Sequence, residues 1–266
     1  MTSHGEAVRR EFAKQAATFE DPEYAFTDRR LIAWIQRNVP AEPGAAVLDV
    51  AGGTGHMARG YADTAAVAVV LDLTEEMLAT GQRQTHSAGQ RNVVFVLGDA
   101  ARMGFLEDSF DLVICRFAVH HFECPEEQIG EMVRVCRPGG RVAIIDLVAA
   151  DAGLAAEQDR LERIRDPSHA RALPMPTLRT LLEQAGAPVF HETFHDQPRP
   201  VESLLAQAAA SPDRAETIRR QLRAELDGGA PTGMRPLIDD GELQLTHRYG
   251  IVVARKPVTA AQETRA

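Results

Sequence analysis

Two adjacent histidines, His120 and His121, are well suited to move a proton. They follow the apolar run at residues 110–115, where a buried strand would end and a ligand crevice would begin. Imidazole accepts a proton near neutral pH and can assist a nucleophile that starts as a hydroxyl, an amine or an acidic carbon. Successive helical side chains turn by about 100°, so the two cannot face one point. We expect at least one to act as a base or to orient a substrate, and we favour His121.

Four other side chains are candidates for the same crevice. Arg116 directly follows the apolar run and can bind a cofactor carboxylate or form a salt bridge at the rim. Arg165 and His169 lie near the end of a charged, alanine-rich helical segment at residues 149–171. We interpret both as substrate contacts; the alternative for His169 is a turn residue that ends the helix. Asp146 can be the carboxylate partner of a base, although a capping role is favoured.

A glycine-rich turn at residues 51–55 follows the first apolar run. Gly53 and Gly55 permit a close approach of the backbone to a ligand, and the helical pattern of residues 57–62 would point unpaired N–H groups at it. Such a turn cradles a nucleotide-like cofactor. A P-loop is excluded because no lysine follows the last glycine. The dinucleotide pattern G-x-G-x-x-A is satisfied, but alone it is weak evidence.

Acidic residues at the ends of the next two apolar runs help to distinguish the cofactor. Asp72 ends the second run and can bind both ribose hydroxyls of either NAD or S-adenosyl-L-methionine. Asp99 follows the third run and can accept a hydrogen bond from an adenine amino group. NAD enzymes do not usually place a carboxylate there, so the pattern favours S-adenosyl-L-methionine.

The apolar runs and the helical patterns between them predict an α/β fold. Strands are expected at residues 47–50, 67–71, 93–97, 110–115, 142–147, 189–194 and 243–254. Gly250 would form a bulge in the last strand. The predicted organisation is a helical cap at 1–40, interrupted at Asp21-Pro22, a core at 41–196 and 241–257, a helical lid at 197–240, and a disordered tail at 258–266.

Five segments in order carry a resemblance to a known family: LDVAGGTGH (48–56), VLDLTEEML (70–78), GDA (98–100), FDLVICRFAVHHF (110–122) and RPGGR (137–141). Over roughly residues 45–147 the chain resembles the class I S-adenosylmethionine-dependent methyltransferases, above all the ubiquinone/menaquinone C-methyltransferases. The resemblance implies a Rossmann-like, seven-stranded doubly wound sheet of order 3-2-1-4-5-7-6 with strand 7 antiparallel. The chain departs from the family at Ala51, where the first loop glycine is usual.

The resemblance implies S-adenosyl-L-methionine as the cofactor. The cofactor-binding residues are then expected to be Asp49, Ala51, Gly53, Gly55, Asp72, Leu73, Met77, Asp99, Ala100 and Arg116. Within this set, Asp72 would bind the ribose, Asp99 the adenine, and Met77 would form an apolar wall on the adenine side.

Composition limits the partners and the setting. The net charge of −9 over 266 residues disfavours a nucleic-acid substrate, because phosphate contacts require a basic face. There is no apolar run of the roughly 20 residues that span a bilayer, and the first residues lack a signal-peptide pattern. Three scattered cysteines indicate neither a disulfide framework nor a zinc site, and no metal is expected. We predict a cytoplasmic monomer or homodimer that acts on a small molecule.

The sequence therefore predicts a small-molecule methyltransferase of secondary or quinone-like metabolism. Two alternatives remain open at this point. The fold can serve a cyclase or pericyclase that binds S-adenosyl-L-methionine without methylating, because histidines and a lid would suit that chemistry too. It can also serve an NAD-dependent dehydrogenase.

Overall fold

The computed structural model describes residues 3–21 and 25–258, and its centre is one mostly parallel sheet. Its strands are β1 Ala46–Val50, β2 Val67–Asp72, β3 Val93–Leu97, β4 Phe110–Arg116, β5 Cys136–Leu147, β6 Val189–Pro200, β7 Pro236–Asp239 and β8 Glu242–Arg255. The strand order is β3-β2-β1-β4-β5-β8-β6, with β7 paired to β8. β8 runs antiparallel to β5 and β6.

Helices connect and cover the strands. They are α1 Ser3–Gln15, α2 Arg29–Asn38, α3 His56–Tyr61, α4 Glu75–Ser87, α5 Pro125–Val135, α6 Ala155–Arg165, α7 Met175–Gln184, α8 Val201–Gln207 and α9 Pro212–Leu226. Two short 3-10 turns occupy Ala25–Thr27 and Val119–His121. Within the described residues, every helix is too short or too polar to cross a bilayer.

Strand β1 shows why the sheet is covered on both faces. Leu48 and Val50 are fully buried in one hydrophobic cluster, whereas Val47 is fully buried in a second cluster. Alternate side chains of a strand point to opposite faces, so a near-continuous apolar run requires helices on both sides. Asp49 shares the face of Val47, where the first turn of α3 lies against it. Because side chains alternate between the two faces of β1, the strand that contributes to the core also directs the Asp49 carboxylate toward the helix that follows the glycine-rich turn.

The predicted topology is confirmed, with one strand more than expected. The strand predicted at residues 243–254 is β8, and it lies between β5 and β6 as the order 3-2-1-4-5-7-6 requires. The bulge at Gly250 is wrong: Gly250 pairs in register with Asp146 and Phe194. A Cβ at this glycine would lie 2.3 Å from Met175 Sδ, so the position has no room for a side chain.

The helical region between β6 and β8 has a hydrophobic cluster of its own. Leu204 and Leu205 of α8 pack with Ile218 and Leu222 of α9 in this cluster, which also includes Leu161 of α6. The expected division into cap, core and lid stays a prediction. The predicted break at Pro22 and the tail beyond residue 258 lie outside the described residues.

Candidate active site

The glycine-rich turn is bound to the end of the neighbouring strand. Gly53 and Gly55 have φ of +58° and +78°, in the left-handed region that favours glycine. The Gly53 N–H donates a hydrogen bond of 2.8 Å to Asp72 Oδ2 at the end of β2. Ala51 adopts φ +50°, so the residue that replaces the usual glycine keeps a left-handed backbone. The sequence departure therefore leaves the path of the turn intact.

A cavity of about 440 Å³ opens above this turn, and we call it the large cavity. Predicted cofactor-binding residues in its lining are Asp49, Ala51, Gly53, Asp72, Leu73, Asp99, Ala100 and Arg116. Gly55 and Met77 are not in the lining. A Cβ on Gly55 would lie 2.8 Å from Val70 Cγ2, and Met77 is buried against Phe19. These two residues pack on the side of the turn that faces away from the cavity.

Asp49 is a buried carboxylate in the lining of the large cavity. Its Oδ2 accepts a hydrogen bond of 3.0 Å from the Ala58 N–H, and its Oδ1 has no partner among the described residues. Asp49 is only 1% exposed, and burial raises its pKa to about 6, an effect that the Ala58 N–H and Arg116 oppose. A buried acceptor without a partner is unfavourable until a ligand supplies a donor. The ammonium group of S-adenosyl-L-methionine is such a donor, so the site fits this cofactor.

Arg116 connects the end of β4 to the segment before α2. Its Nη1 and Nη2 both donate to the carbonyl oxygen of Phe26, each at 3.2 Å, and its guanidinium lies 5.0 Å from the centre of the Phe117 ring. Burial lowers the pKa of Arg116 to about 10, although Asp49 opposes the shift. Arg116 therefore remains a cation inside the large cavity at neutral pH, and its contact with a cofactor carboxylate stays a prediction.

His120 forms a buried pair with Asp146 at the end of β5. The His120 Nδ1–H donates to Asp146 Oδ1, and the His120 backbone N–H donates to Asp146 Oδ2 at 3.0 Å. Burial alone would lower the pKa of His120, but the Asp146 charge and hydrogen bond raise it overall. Since Nδ1 is occupied, Nε2 is the nitrogen available to a ligand.

His121 is held differently, although its ring centre is only 4.1 Å from that of His120. The His121 Nδ1–H donates to the Ser168 carbonyl oxygen at 2.9 Å. Burial and the neighbouring His120 lower the pKa of His121 well below its ordinary value. His121 is therefore neutral at pH 7, and Phe12 packs edge-on against it with ring centres 5.0 Å apart.

A second cavity of about 50 Å³, here called the small chamber, adjoins the large cavity. Its lining includes His120, Arg165 and Gln207. Four residues line both spaces: Phe12, Phe26, Phe117 and His121. We call these four the aromatic frame. A reacting group in the chamber thus faces the large cavity across this frame.

Of the two candidate substrate residues, Arg165 and His169, only Arg165 lines one of the two spaces. Arg165 lines the small chamber, and its Nε donates to Glu162 Oε2 at 2.8 Å. His169 lines neither space; its Nε2 is 2.8 Å from Asp159 Oδ1. Sequence reasoning favoured a capping role for Asp146 over the partnership with a base that the structure shows, and of the aromatic frame it identified only His121. The signal for Asp146 is its place at the end of β5, next to the strand that the histidines follow.

The strand order gives the structure the Rossmann-like fold of methyltransferases. The left-handed turn after β1 and the acids Asp49, Asp72 and Asp99 lie at one edge of its sheet. Residues 48–144 match a family model described as a methyltransferase domain. The similarity to this family thus covers β1 to β5, and S-adenosyl-L-methionine is the methyl donor that the family implies.

Curated relatives and a solved structure agree with this assignment. The chain is 31% identical to the uncharacterized methyltransferase YcgJ of Bacillus subtilis, over 60% of this chain and 63% of that protein. It is 35% identical to the demethylmenaquinone methyltransferase of Renibacterium salmoninarum, over 49% of this chain and 57% of that protein. The matches thus span less than two thirds of either relative. The crystal structure of BH2331 from Bacillus halodurans superposes with a TM-score of 0.78 at 26% identity, covering 85% of this chain and 99% of that one.

Proposed function

We propose that the protein transfers a methyl group from S-adenosyl-L-methionine to a small molecule whose reacting group lies in the small chamber. The observation that carries this proposal is the shared aromatic frame. It borders both a cavity with cofactor-binding features and a chamber with a buried His–Asp pair. The matched family and relatives are methyltransferases, so neither the cyclase nor the dehydrogenase alternative is favoured.

The donor supplies an electrophilic methyl group on a sulfonium. Asp49 Oδ1 would bind its ammonium group, and Asp72 its ribose. Both Asp72 oxygens already accept a backbone N–H, from Gly53 and from Thr74, each at 2.8 Å. Asp72 is partly exposed and lines the large cavity, where the ribose hydroxyls can reach it.

Replacing Asp72 with alanine is expected to weaken S-adenosyl-L-methionine binding by about ten- to a hundredfold. The lost charge-assisted hydrogen bonds contribute roughly 1.5–3 kcal/mol. Calorimetry measures the affinity, and Asp63→Ala, at an exposed position, is the matched control. Unchanged affinity in a folded Asp72→Ala protein would mean that the ribose binds elsewhere.

We assign the general base to His120, although sequence position alone favoured His121. The Asp146 carboxylate stabilises the imidazolium that forms when His120 Nε2 accepts a proton from the acceptor. His121 is a weaker base because burial and His120 disfavour its charged form. We propose that His121 stays neutral and orients the acceptor within the aromatic frame. The frame excludes water and holds the nucleophile in place, which is most of what an in-line displacement on a reactive methyl donor requires.

The turnover number is expected to rise with pH through a pKa above the ordinary value of histidine. His120 must be neutral to accept a proton, and Asp146 holds its pKa up against burial. The other titratable groups near it are His121, Glu162, Asp166 and His169.

Asp146→Asn removes the main cause of the raised pKa and leaves the desolvation. The acidic limb of the kcat profile should therefore move to lower pH while the maximum falls. Profiles of kcat between about pH 5 and 9 for both proteins check this. A limb in the same place in both would show that His120 does not control turnover.

We place the acceptor in secondary or quinone-like metabolism, since a demethylmenaquinone methyltransferase is among the relatives.

The test of the proposed function has two stages. Calorimetry should detect binding of S-adenosyl-L-methionine and its demethylated product, and no binding of NAD. Turnover with an acceptor should then release one S-adenosylhomocysteine for each product molecule. Product formation without S-adenosylhomocysteine would overturn methyl transfer and support the cyclase alternative.

A further inference from the structure

Two imidazole nitrogens of the small chamber have no hydrogen-bond partner among the described residues. The His120 Nδ1–H donates to Asp146, and the His121 Nδ1–H donates to a backbone carbonyl oxygen, so Nε2 of each neutral ring is a bare acceptor. Both residues line the chamber, and neither Nε2 is fully enclosed by protein atoms. Since the two ring centres are 4.1 Å apart, a bound group with more than one hydrogen to donate is suited to this pair.

Asp166 places a carboxylate without a bonded cation in the same wall. It is only 6% exposed, and it lines the chamber. Its Oδ1 accepts from the Ser168 N–H at 2.9 Å and from the Ser168 hydroxyl, whose oxygen lies 3.2 Å from His121 Nδ1. Its Oδ2 has no partner among the described residues and also keeps accessible surface. A buried charge that is bonded only to neutral groups favours a ligand of the opposite charge.

The other charges around the chamber do not neutralise Asp166. Burial alone would raise the pKa of Asp166, but neighbouring groups, Arg165 among them, lower it overall, so the carboxylate is ionised at neutral pH. Arg165 is the arginine of the chamber lining, and its Nε donates to Glu162 Oε2 at 2.8 Å. Three carboxylates, Asp146, Glu162 and Asp166, thus surround the chamber against one guanidinium. With His120 neutral, the excess charge is negative, which favours a cationic ligand.

Resting on the function proposed above, we infer that the methyl acceptor is an amine, and that Asp166 determines this specificity. The amine enters as an ammonium ion and donates to His121 Nε2 and Asp166 Oδ2. His120 Nε2 removes one proton, which leaves a lone pair on the nitrogen. That lone pair forms the new C–N bond, while the electron pair of the broken S–C bond stays on sulfur. The products are a methylated ammonium ion and S-adenosylhomocysteine. A hydroxyl group, with one hydrogen, could satisfy only one of these three acceptors.

The size of the chamber limits which part of the acceptor enters it. About 50 Å³ has room for only a few non-hydrogen atoms, so the amine end occupies the chamber and the remainder packs on the aromatic frame. Aromatic rings suit this arrangement, because they pack against apolar groups and attract an ammonium ion. An amine acceptor belongs to secondary metabolism rather than to the quinone-like branch of the proposal above.

The experiment compares three probes of similar size on the full protein saturated with S-adenosylhomocysteine. Benzylamine is an ammonium ion at neutral pH, benzyl alcohol is its uncharged hydroxyl counterpart, and benzoate is an anion; ligand-observed NMR gives the dissociation constants. Benzylamine should bind roughly tenfold more tightly than benzyl alcohol, as expected for a charge-assisted hydrogen bond to a buried carboxylate. Benzoate should bind most weakly. Physiological salt screens the general attraction of a chain with net charge −9 for any cation.

Asp166→Asn keeps a carbonyl oxygen for the two Ser168 donors and removes the charge, so the preference for benzylamine should disappear. Asp151→Asn is the matched control and should keep the preference. Asp151 is exposed, its Oδ1 also accepts the N–H two residues later, from Gly153 at 2.7 Å, and its replacement removes the same unit of charge.

Three results would overturn the inference. They are benzylamine binding no tighter than benzyl alcohol in the wild-type protein, which needs no variant, a preference that survives Asp166→Asn, and tightest binding of benzoate. Absence of S-adenosylhomocysteine binding would overturn the proposed function and this inference together. Normal S-adenosylhomocysteine binding without a preference for benzylamine would overturn this inference alone.

Discussion

Replacing His120 with asparagine is expected to lower kcat by about 10²–10⁴-fold, the usual contribution of a general base. The asparagine amide can still donate a hydrogen bond to Asp146, so the buried carboxylate keeps a partner. It cannot accept a proton at neutral pH. Affinity for S-adenosyl-L-methionine should change by no more than a few-fold, because His120 lines the small chamber and not the large cavity. Steady-state kinetics and calorimetry measure the two effects separately.

His121→Asn is the matched control for this experiment. It keeps a donor for the Ser168 carbonyl oxygen, and on our assignment it lowers kcat less than His120→Asn does. Adding Asp146→Asn to His120→Asn should cost little more, because residues that act as a unit are not additive. A larger loss of kcat in His121→Asn than in His120→Asn would instead assign the general base to His121, as sequence position favoured. If kcat falls by less than about fivefold in both single variants, neither histidine acts as a general base, and proximity and desolvation account for catalysis.

The cofactor side of the site could be predicted because it is built from consecutive strand ends. Gly53, Asp72 and Asp99 come at or just after the end of an apolar run, and Asp49 comes one residue before the end of its run. Parallel strands bring their carboxyl ends to one edge of a sheet. The large cavity indeed contains these four residues. The same logic could not tell which side of the turn a residue faces. Gly55, for example, lies outside the lining of the large cavity, and a Cβ there would lie 2.8 Å from Val70 Cγ2.

The acceptor side could be predicted only in part, because its parts come from distant segments. His120 and Asp146 face each other only because β4 and β5 are neighbours, with Arg116 paired to Ile145. Gln207 has no motif around it, and it lines the chamber because α8 packs with α9 and with Leu161 of α6. His169 was expected at the substrate, yet the Asp159 carboxylate holds its ring. Such contacts depend on side-chain packing between elements, which periodicity does not encode.

Replacing Gly53 with valine is expected to abolish measurable S-adenosyl-L-methionine binding while largely sparing the fold. The valine Cβ would lie 3.5 Å from Phe19 Cε1, an ordinary contact, so the residue has space without a ligand. Its methyl groups, however, would occupy the wall of the large cavity where the methionine part of the cofactor must approach. A branched residue at φ +58° also carries backbone strain of about 1–2 kcal/mol. Calorimetry and thermal unfolding separate the loss of binding from the loss of stability.

Gly89→Val is the control that matches the strain. Gly89 has φ +69° and no atom within 4 Å of its Cβ position, so valine there carries a similar backbone penalty far from any contact. Both variants should lose a few degrees of melting temperature, and only Gly53→Val should lose the cofactor. Equal loss of binding in the two would mean that strain alone explains the effect. Normal binding in Gly53→Val would show that the cofactor does not approach this turn. The assignment of Asp72 and Asp49 would fall with it, because Asp72 is bonded to Gly53 and Asp49 to α3, which begins directly after the turn.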